Sequence, residues 1–92
     1  MTRRLRYRVD LARVVEKQLR RLPPGDAARL RGAILALAID LRPPGTAKLG
    51  GSDYLRLRVG ELRLIYVVDD DDRRVVILKV ARRAESTYRR IG

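Results

Sequence analysis

Arg56, Arg58 and Arg63 are the side chains whose type and spacing most plainly suggest chemistry. Tyr54, Arg56 and Arg58 alternate with Leu55, Leu57 and Val59, and Arg63 follows a Gly60-Glu61 turn, so a hairpin places the three arginines on one face. Cross-strand neighbours stand roughly 5 Å apart, so guanidinium groups gathered there repel one another unless an anion lies between them. A phosphate-rich ligand removes that conflict; the alternative is that each arginine reaches into solvent or pairs with Glu61 or Asp53. A second group, Arg82, Arg83 and Tyr88, stands where the last apolar run passes into the tail. An arginine fork clamps a phosphate and stabilises the charge of phosphoryl transfer, and a phenol stacks on a base or hydrogen-bonds to phosphate. Tyr88 equally suits packing of the tail onto the body.

The chain has no cysteine and no histidine, which excludes disulfides, thiolate nucleophiles and imidazole proton transfer. The run Asp69 to Asp72 resembles a cation site in composition alone. It lacks the glycine and distal glutamate of a calcium loop and runs directly into Arg73-Arg74, so we read a solvated turn. Gly50-Gly51 precedes a strand rather than a helix, and is a flexible turn, not a phosphate cradle.

The elements that must position these residues follow from hydrophobic period. Leu5, Tyr7 and Val9 alternate with Arg6 and Arg8, predicting a first strand over 4–9. Asp10 is a candidate N-cap for a helix carrying Leu11, Val14, Val15, Leu19 and Leu22, which stops at Pro23-Pro24-Gly25. Asp26 is a candidate cap for a second helix with Ala27, Leu30, Ile34, Leu37 and Leu41 in its apolar stripe, and with Arg29 and Arg31 away from it. Residues 43–52 read as a loop. Strands over 54–59, 62–68 and 75–81 complete a three-stranded antiparallel meander, with the aspartate run as its second turn. The expected fold is α+β: an N-terminal strand, a two-helix hairpin and the meander, forming a sheet with helices packed on one face.

Ninety-two residues, 46% apolar and 36% charged, suit a single domain over 1–92 with one core. The 22 basic residues exceed the 11 acidic ones to give +11, and such a field gathers polyanions: nucleic acid, the ribosome or an acidic protein. No apolar run has the length of a membrane span or of a signal sequence, so we expect a cytoplasmic protein with no membrane partner.

The segment from Lys48-Leu49-Gly50-Gly51 through Tyr54-Leu55-Arg56-Leu57-Arg58-Val59-Gly60-Glu61-Leu62-Arg63-Leu64-Ile65-Tyr66, with the acidic turn, the last apolar strand, Arg83 and Tyr88, resembles the RelE family. That family is the toxin half of type II toxin–antitoxin pairs within the RelE/ParE superfamily, and the order of elements resembles it over nearly the whole chain. The resemblance implies a ribosome-dependent endoribonuclease that cuts translated mRNA in the A site, without metal or cofactor, restrained by a cognate antitoxin. Its partners would be the antitoxin, the ribosome and mRNA. By position, Arg56 and Arg58 match a basic pair that is lysine in some members, Arg63 matches the arginine of the next strand, and Tyr88 the C-terminal tyrosine. The C-terminal arginine maps to Arg83 by strand alignment and to Arg82 by spacing to the tyrosine; Arg83 is preferred. Lys48, Tyr54, Lys79 and Arg82 are the expected RNA- and phosphate-binding residues around this set. Two departures stand out: arginine keeps its proton where lysine can yield one, and the family's C-terminal histidine is missing. The competing readings are a gyrase inhibitor of the ParE branch and an inactive homologue that only binds its antitoxin.

Overall fold

The structure, a computed structural model, describes residues 7–82. Seven elements follow in chain order: β1 (Arg8–Leu11), α1 (Arg13–Arg21), α2 (Pro24–Ala36), β2 (Thr46–Lys48), β3 (Leu55–Val59), β4 (Leu62–Asp69) and β5 (Arg74–Arg82). They form one sheet in the order β1-β5-β4-β3-β2. β1 runs parallel to β5, and every other pair is antiparallel.

The expected α+β architecture holds: the helical hairpin covers one face of the sheet. Val15 and Leu19 of α1, and Leu30 and Ile34 of α2 with Leu37 just beyond it, are buried against Leu57, Leu64, Tyr66, Val75 and Ile77. Burying side chains of this size contributes about 1.5–3 kcal/mol each, set against the entropy of ordering the chain. Tyr66, fully buried on the central strand β4, donates its hydroxyl to the Leu41 carbonyl at 2.8 Å and so ties the end of the helical segment to the sheet. Burial pushes that phenol above its usual titration range. Gly60, with φ +62°, takes the first central position of the turn between paired Val59 and Leu62, as a type II′ hairpin requires.

Several boundaries differ from expectation. The first strand lies at Arg8–Leu11 rather than 4–9, because its register is set by pairing Arg8 with Arg74 and Leu11 with Ile77; residues 4–6 of the expected strand fall outside the described residues. Asp10 therefore sits within β1 instead of capping a helix. Ala12 is the N-cap of α1 and makes no side-chain cap bond. Asp26 is likewise no cap: α2 starts at Pro24, where proline's missing N–H costs nothing, and Asp26 lies in the first turn. That helix ends at Ala36, so Leu37 and Leu41 are core residues of the turn that follows and not of the stripe. The expected loop 43–52 contains a short edge strand, β2, which pairs with β3 from Thr46 opposite Leu57 to Lys48 opposite Leu55.

The last strand carries a β-bulge. Tyr66 pairs with Ile77 but Ile65 pairs with Lys79, which leaves Leu78 as the extra residue. Beyond Leu11, β1 no longer covers the edge of β5. Gln18 of α1 does: its Nε2 donates to the Val80 carbonyl and its Oε1 accepts from the Val80 N–H, both at 2.8 Å.

Candidate functional site

Strand parity sends Arg56 and Arg58 of β3 and Arg63 of β4 to the sheet face turned away from the helices. Arg58 stands directly opposite Arg63, and that row continues to Ala81 on β5. The adjoining row runs from Arg56 through Ile65 to Lys79. Four of the expected site residues, Arg56, Arg58, Arg63 and Lys79, are thus brought together across three strands. Arg58 and Lys79 are exposed, Arg56 is half-buried, and Arg63 on the central strand is 9% exposed.

Among the described residues, no carboxylate lies within ion-pair distance of Arg56, Arg58 or Lys79. Among the described residues, the ion pairs join Asp10 to Arg8 at 3.6 Å and to Arg74 at 3.7 Å, and Asp26 to Arg82 at 4.0 Å. Arg56, Arg58 and Lys79 have no such partner among the described residues, and Arg56 keeps a buried Nε there without a hydrogen-bond acceptor. A buried donor left in this state costs about 1–3 kcal/mol until an acceptor arrives. The pairing of Arg56 and Arg58 with Glu61 or Asp53, open on sequence grounds, is not seen among the described residues.

Two expected contributors are elsewhere. Arg82 shares the parity of Val80 beyond the bulge, opposite Leu62, so it points to the helical side, where Asp26 meets it. Lys48 pairs with Leu55, a core-facing residue, and so has the opposite parity to Arg56 at the far edge of the sheet. Tyr54, 49% exposed, precedes β3 with the parity of Arg56. It borders an open concavity of about 840 Å³ lined also by Ser52, Val67 and Asp69 to Asp71, at the acidic end of the sheet. This concavity is therefore not where the basic cluster lies. Arg83 and Tyr88 lie outside the described residues.

The aspartate run behaves as a turn. Asp69 accepts from the Asp72 N–H at 3.2 Å, and Asp70 accepts the Tyr7 hydroxyl at 2.6 Å. That hydrogen bond, with a smaller push from burial, raises the Tyr7 phenol above its ordinary value near 10.

Two further features were not legible in the pattern. An added Cβ at Gly60 would come within 2.9 Å of Arg29 Nη1, so the tip of this helical arginine lies over the turn between Arg58 and Arg63. On the helical side, Val9, Leu11, Leu19, Arg31, Ile34 and Leu35 line a groove of about 230 Å³, with Leu35 71% exposed. A helical stripe does not reveal where an arginine tip ends or which leucine stays uncovered. Among the described residues, no helix is long and apolar enough to cross a membrane.

Comparison with known proteins agrees with this fold. Residues 4–87 match the family model described as the ParE toxin of the type II toxin–antitoxin system, parDE. The chain is 34% identical over 89 residues to a relative from Methanocaldococcus jannaschii named toxin RelE1, covering 92% of this chain and 98% of the relative. Among solved structures, it is similar to a chain of the archaeal RelE–RelB complex from Pyrococcus horikoshii, with TM-score 0.78, 32% identity and coverage of 86% and 97% of the two chains. A chain of the toxin–antitoxin complex RelBE2 from Mycobacterium tuberculosis is similar with TM-score 0.73 and 26% identity, over 85% of this chain and 99% of that one.

Proposed function

The chain belongs to the RelE/ParE superfamily, the toxins of type II toxin–antitoxin systems, and on that premise we propose that it is an mRNA interferase that cleaves translated mRNA in the ribosomal A site. The observation that carries this reading is the basic cluster itself: Arg58 directly opposite Arg63, with Arg56 and Lys79 in the next row and no carboxylate paired to Arg56, Arg58 or Lys79 among the described residues. Such a surface favours an anion with several oxygens.

In this reading the ribose 2′-oxygen attacks the adjacent phosphorus, the bond from phosphorus to the 5′-oxygen breaks, and a 2′,3′-cyclic phosphate and a free 5′-hydroxyl result. The 2′-hydroxyl proton must leave and the departing 5′-oxygen must gain one. Arg56, Arg58 and Arg63 remain protonated, so their work is to hold the scissile phosphate and stabilise charge on its non-bridging oxygens. Arg83 completes the set in place of Arg82, because Arg82 is already engaged by Asp26 on the helical side. Tyr88 is the proposed partner for a base or a proton. Lys79 and Tyr54 are proposed to flank the strand along the sheet, and Lys48 to meet RNA only beyond its edge.

Dependence on the ribosome accords with the shape and composition of the site. The cluster lies on a sheet surface, away from the concavity that Tyr54 borders, and the chain supplies no histidine. A second surface is needed to exclude water and orient the nucleotide, and a ribosomal A site provides one. A cognate antitoxin is the proposed protein partner, as in the complexes of the similar proteins. Apolar side chains of that partner would fill the groove beside Leu35.

The test is a reconstituted translation reaction on a defined mRNA, with RNA ends mapped by primer extension with and without ribosomes. Cuts at A-site codons that need ribosomes are expected. Intact mRNA under continuing translation refutes the interferase reading. A second reading, inhibition of DNA gyrase, is favoured by one finding, the match to the family model described as ParE toxin. Arrest of gyrase supercoiling with mRNA intact would establish it, and harmlessness in both assays would mark a homologue that only binds its antitoxin.

A further inference from the structure

Arg29 is an exposed residue of α2, on the side of the helix away from its apolar stripe, and its period alone makes it a solvated charge. The structure gives it a definite place. Its Nη1 lies where a Cβ on Gly60 would be only 2.9 Å away, so the guanidinium rests over the backbone of the β3–β4 turn. That turn joins Arg58 to Arg63, which are already opposite each other. A third guanidinium at the same turn adds like charge to a crowded end of the sheet. Among the described residues no carboxylate pairs with Arg29, and exposed Glu61 in that turn does not reach it within ion-pair distance.

We propose that Arg29 is a phosphate contact for RNA: it binds the phosphodiester next to the one held by Arg56, Arg58 and Arg63, and guides the strand over the β3–β4 turn onto the helical side. The inference rests on the reading of the substrate as RNA. The rows of the sheet support the direction. Beyond the Arg58–Arg63 row lie the Val59–Leu62 pair and the turn, and Arg29 is the cation waiting on the turn's other side. Toward the opposite end the face becomes acidic at Asp69 to Asp71, which repels a phosphate chain. Gly60 is what allows the approach, since any side chain there would displace the guanidinium.

The experiment measures binding of a short single-stranded RNA oligonucleotide, made non-cleavable by 2′-O-methylation at every nucleotide, across a salt series. Arg29→Gln is expected to weaken binding roughly tenfold, the size of one charge-assisted hydrogen bond. It should also flatten the slope of log K against log salt by ~0.7, the value for one phosphate contact on a single strand. Arg29→Lys should keep the slope. Gly60→Asn, which tolerates positive φ but pushes the guanidinium aside, should weaken binding alone and add little on top of Arg29→Gln. Unchanged affinity and slope in Arg29→Gln, with the parent binding normally, overturn the inference and leave the interferase reading standing. A lower melting temperature without a change in slope also overturns it, by making Arg29 a support for the turn. Failure of the parent to bind the oligonucleotide overturns it as well, while ribosome-dependent cleavage is decided by its own assay.

Discussion

Arg58→Gln should make the protein more stable and less active at once. Arg58 faces Arg63 directly across β3 and β4, and neither Glu61 nor Asp53 pairs with it. Like charges in that position are destabilising by about 0.2–1 kcal/mol. Coulomb's law at a separation of ~6 Å in water gives about 0.7 kcal/mol, so ~0.5 kcal/mol suits an exposed partner. For a domain of this size, 1 kcal/mol moves the melting temperature by roughly 4–8 °C, which predicts a gain of about 2–4 °C. The assay is thermal unfolding of Arg58→Gln and the parent at low salt and again near 1 M salt, where the screening length falls to about 3 Å and the gain should vanish. Loss of a charged donor from the proposed phosphate site should lower cleavage by about 10²–10³ in the same variant. A variant that melts at or below its parent at low salt, or whose gain persists at high salt, refutes the argument that the arginines repel.

Arg63→Ala and Arg83→Ala should each abolish ribosome-dependent cuts while circular dichroism remains that of the parent; undiminished cutting by both would remove the proposed catalytic set. Gln18→Ala loses both 2.8 Å bonds to Val80 and leaves its backbone groups exposed at the edge of β5. Denaturant unfolding should show a loss of about 1–3 kcal/mol. Tyr7 has its phenol pKa raised by the hydrogen bond to Asp70, so its stabilising effect is full below the ordinary tyrosine value of about 10 and is lost as pH rises through the raised value. Tyr7→Phe should therefore flatten the alkaline limb of a stability–pH curve, and an unchanged limb would show that the bond contributes nothing. Leu35→Asp, at a side chain 71% exposed, should leave melting unchanged and weaken capture of the antitoxin in a pull-down with the cognate partner; equal capture would move that interface elsewhere.

Alternation made much of the fold legible before any coordinates. The period of two in Leu55 to Val59 and Leu62 to Val68 separates a basic from an apolar face because one face is buried, and a slip of register would bury arginine. The turn at Gly60-Glu61 could be read for the same reason: glycine at the first central position is what a two-residue hairpin needs. What misled was local. Asp10 and Asp26 have the chemistry of helix caps, but pairing of β1 with β5 claims Asp10 for a strand, and Pro24 starts α2 ahead of Asp26. Thr46-Ala47-Lys48 is too short to show a period, and its strand exists because β3 offers an open edge. Of the candidate site, Arg56, Arg58 and Arg63 followed from parity alone. The place of Arg29 did not, since a long flexible side chain ends where tertiary packing lets it.

The bulge in β5 decides which cations serve the basic face. Counted without it, strict alternation from inward-facing Ile77 would turn Lys79 and Ala81 into the core and send Val80 and Arg82 out beside Arg63. One extra residue, Leu78, reverses this: Val80 is buried, Lys79 joins the row of Arg56 and Ile65, and Arg82 meets Asp26 behind the sheet. An irregularity of this kind weakens a ladder, and it falls where β1 has already stopped covering the edge of β5. Gln18 answers both problems, since its amide binds the N–H and the carbonyl of Val80, one residue past Lys79. A bulge and a glutamine that occupy no part of the basic face thus keep Arg82 off it, which is why Arg83 is the arginine we propose for the site.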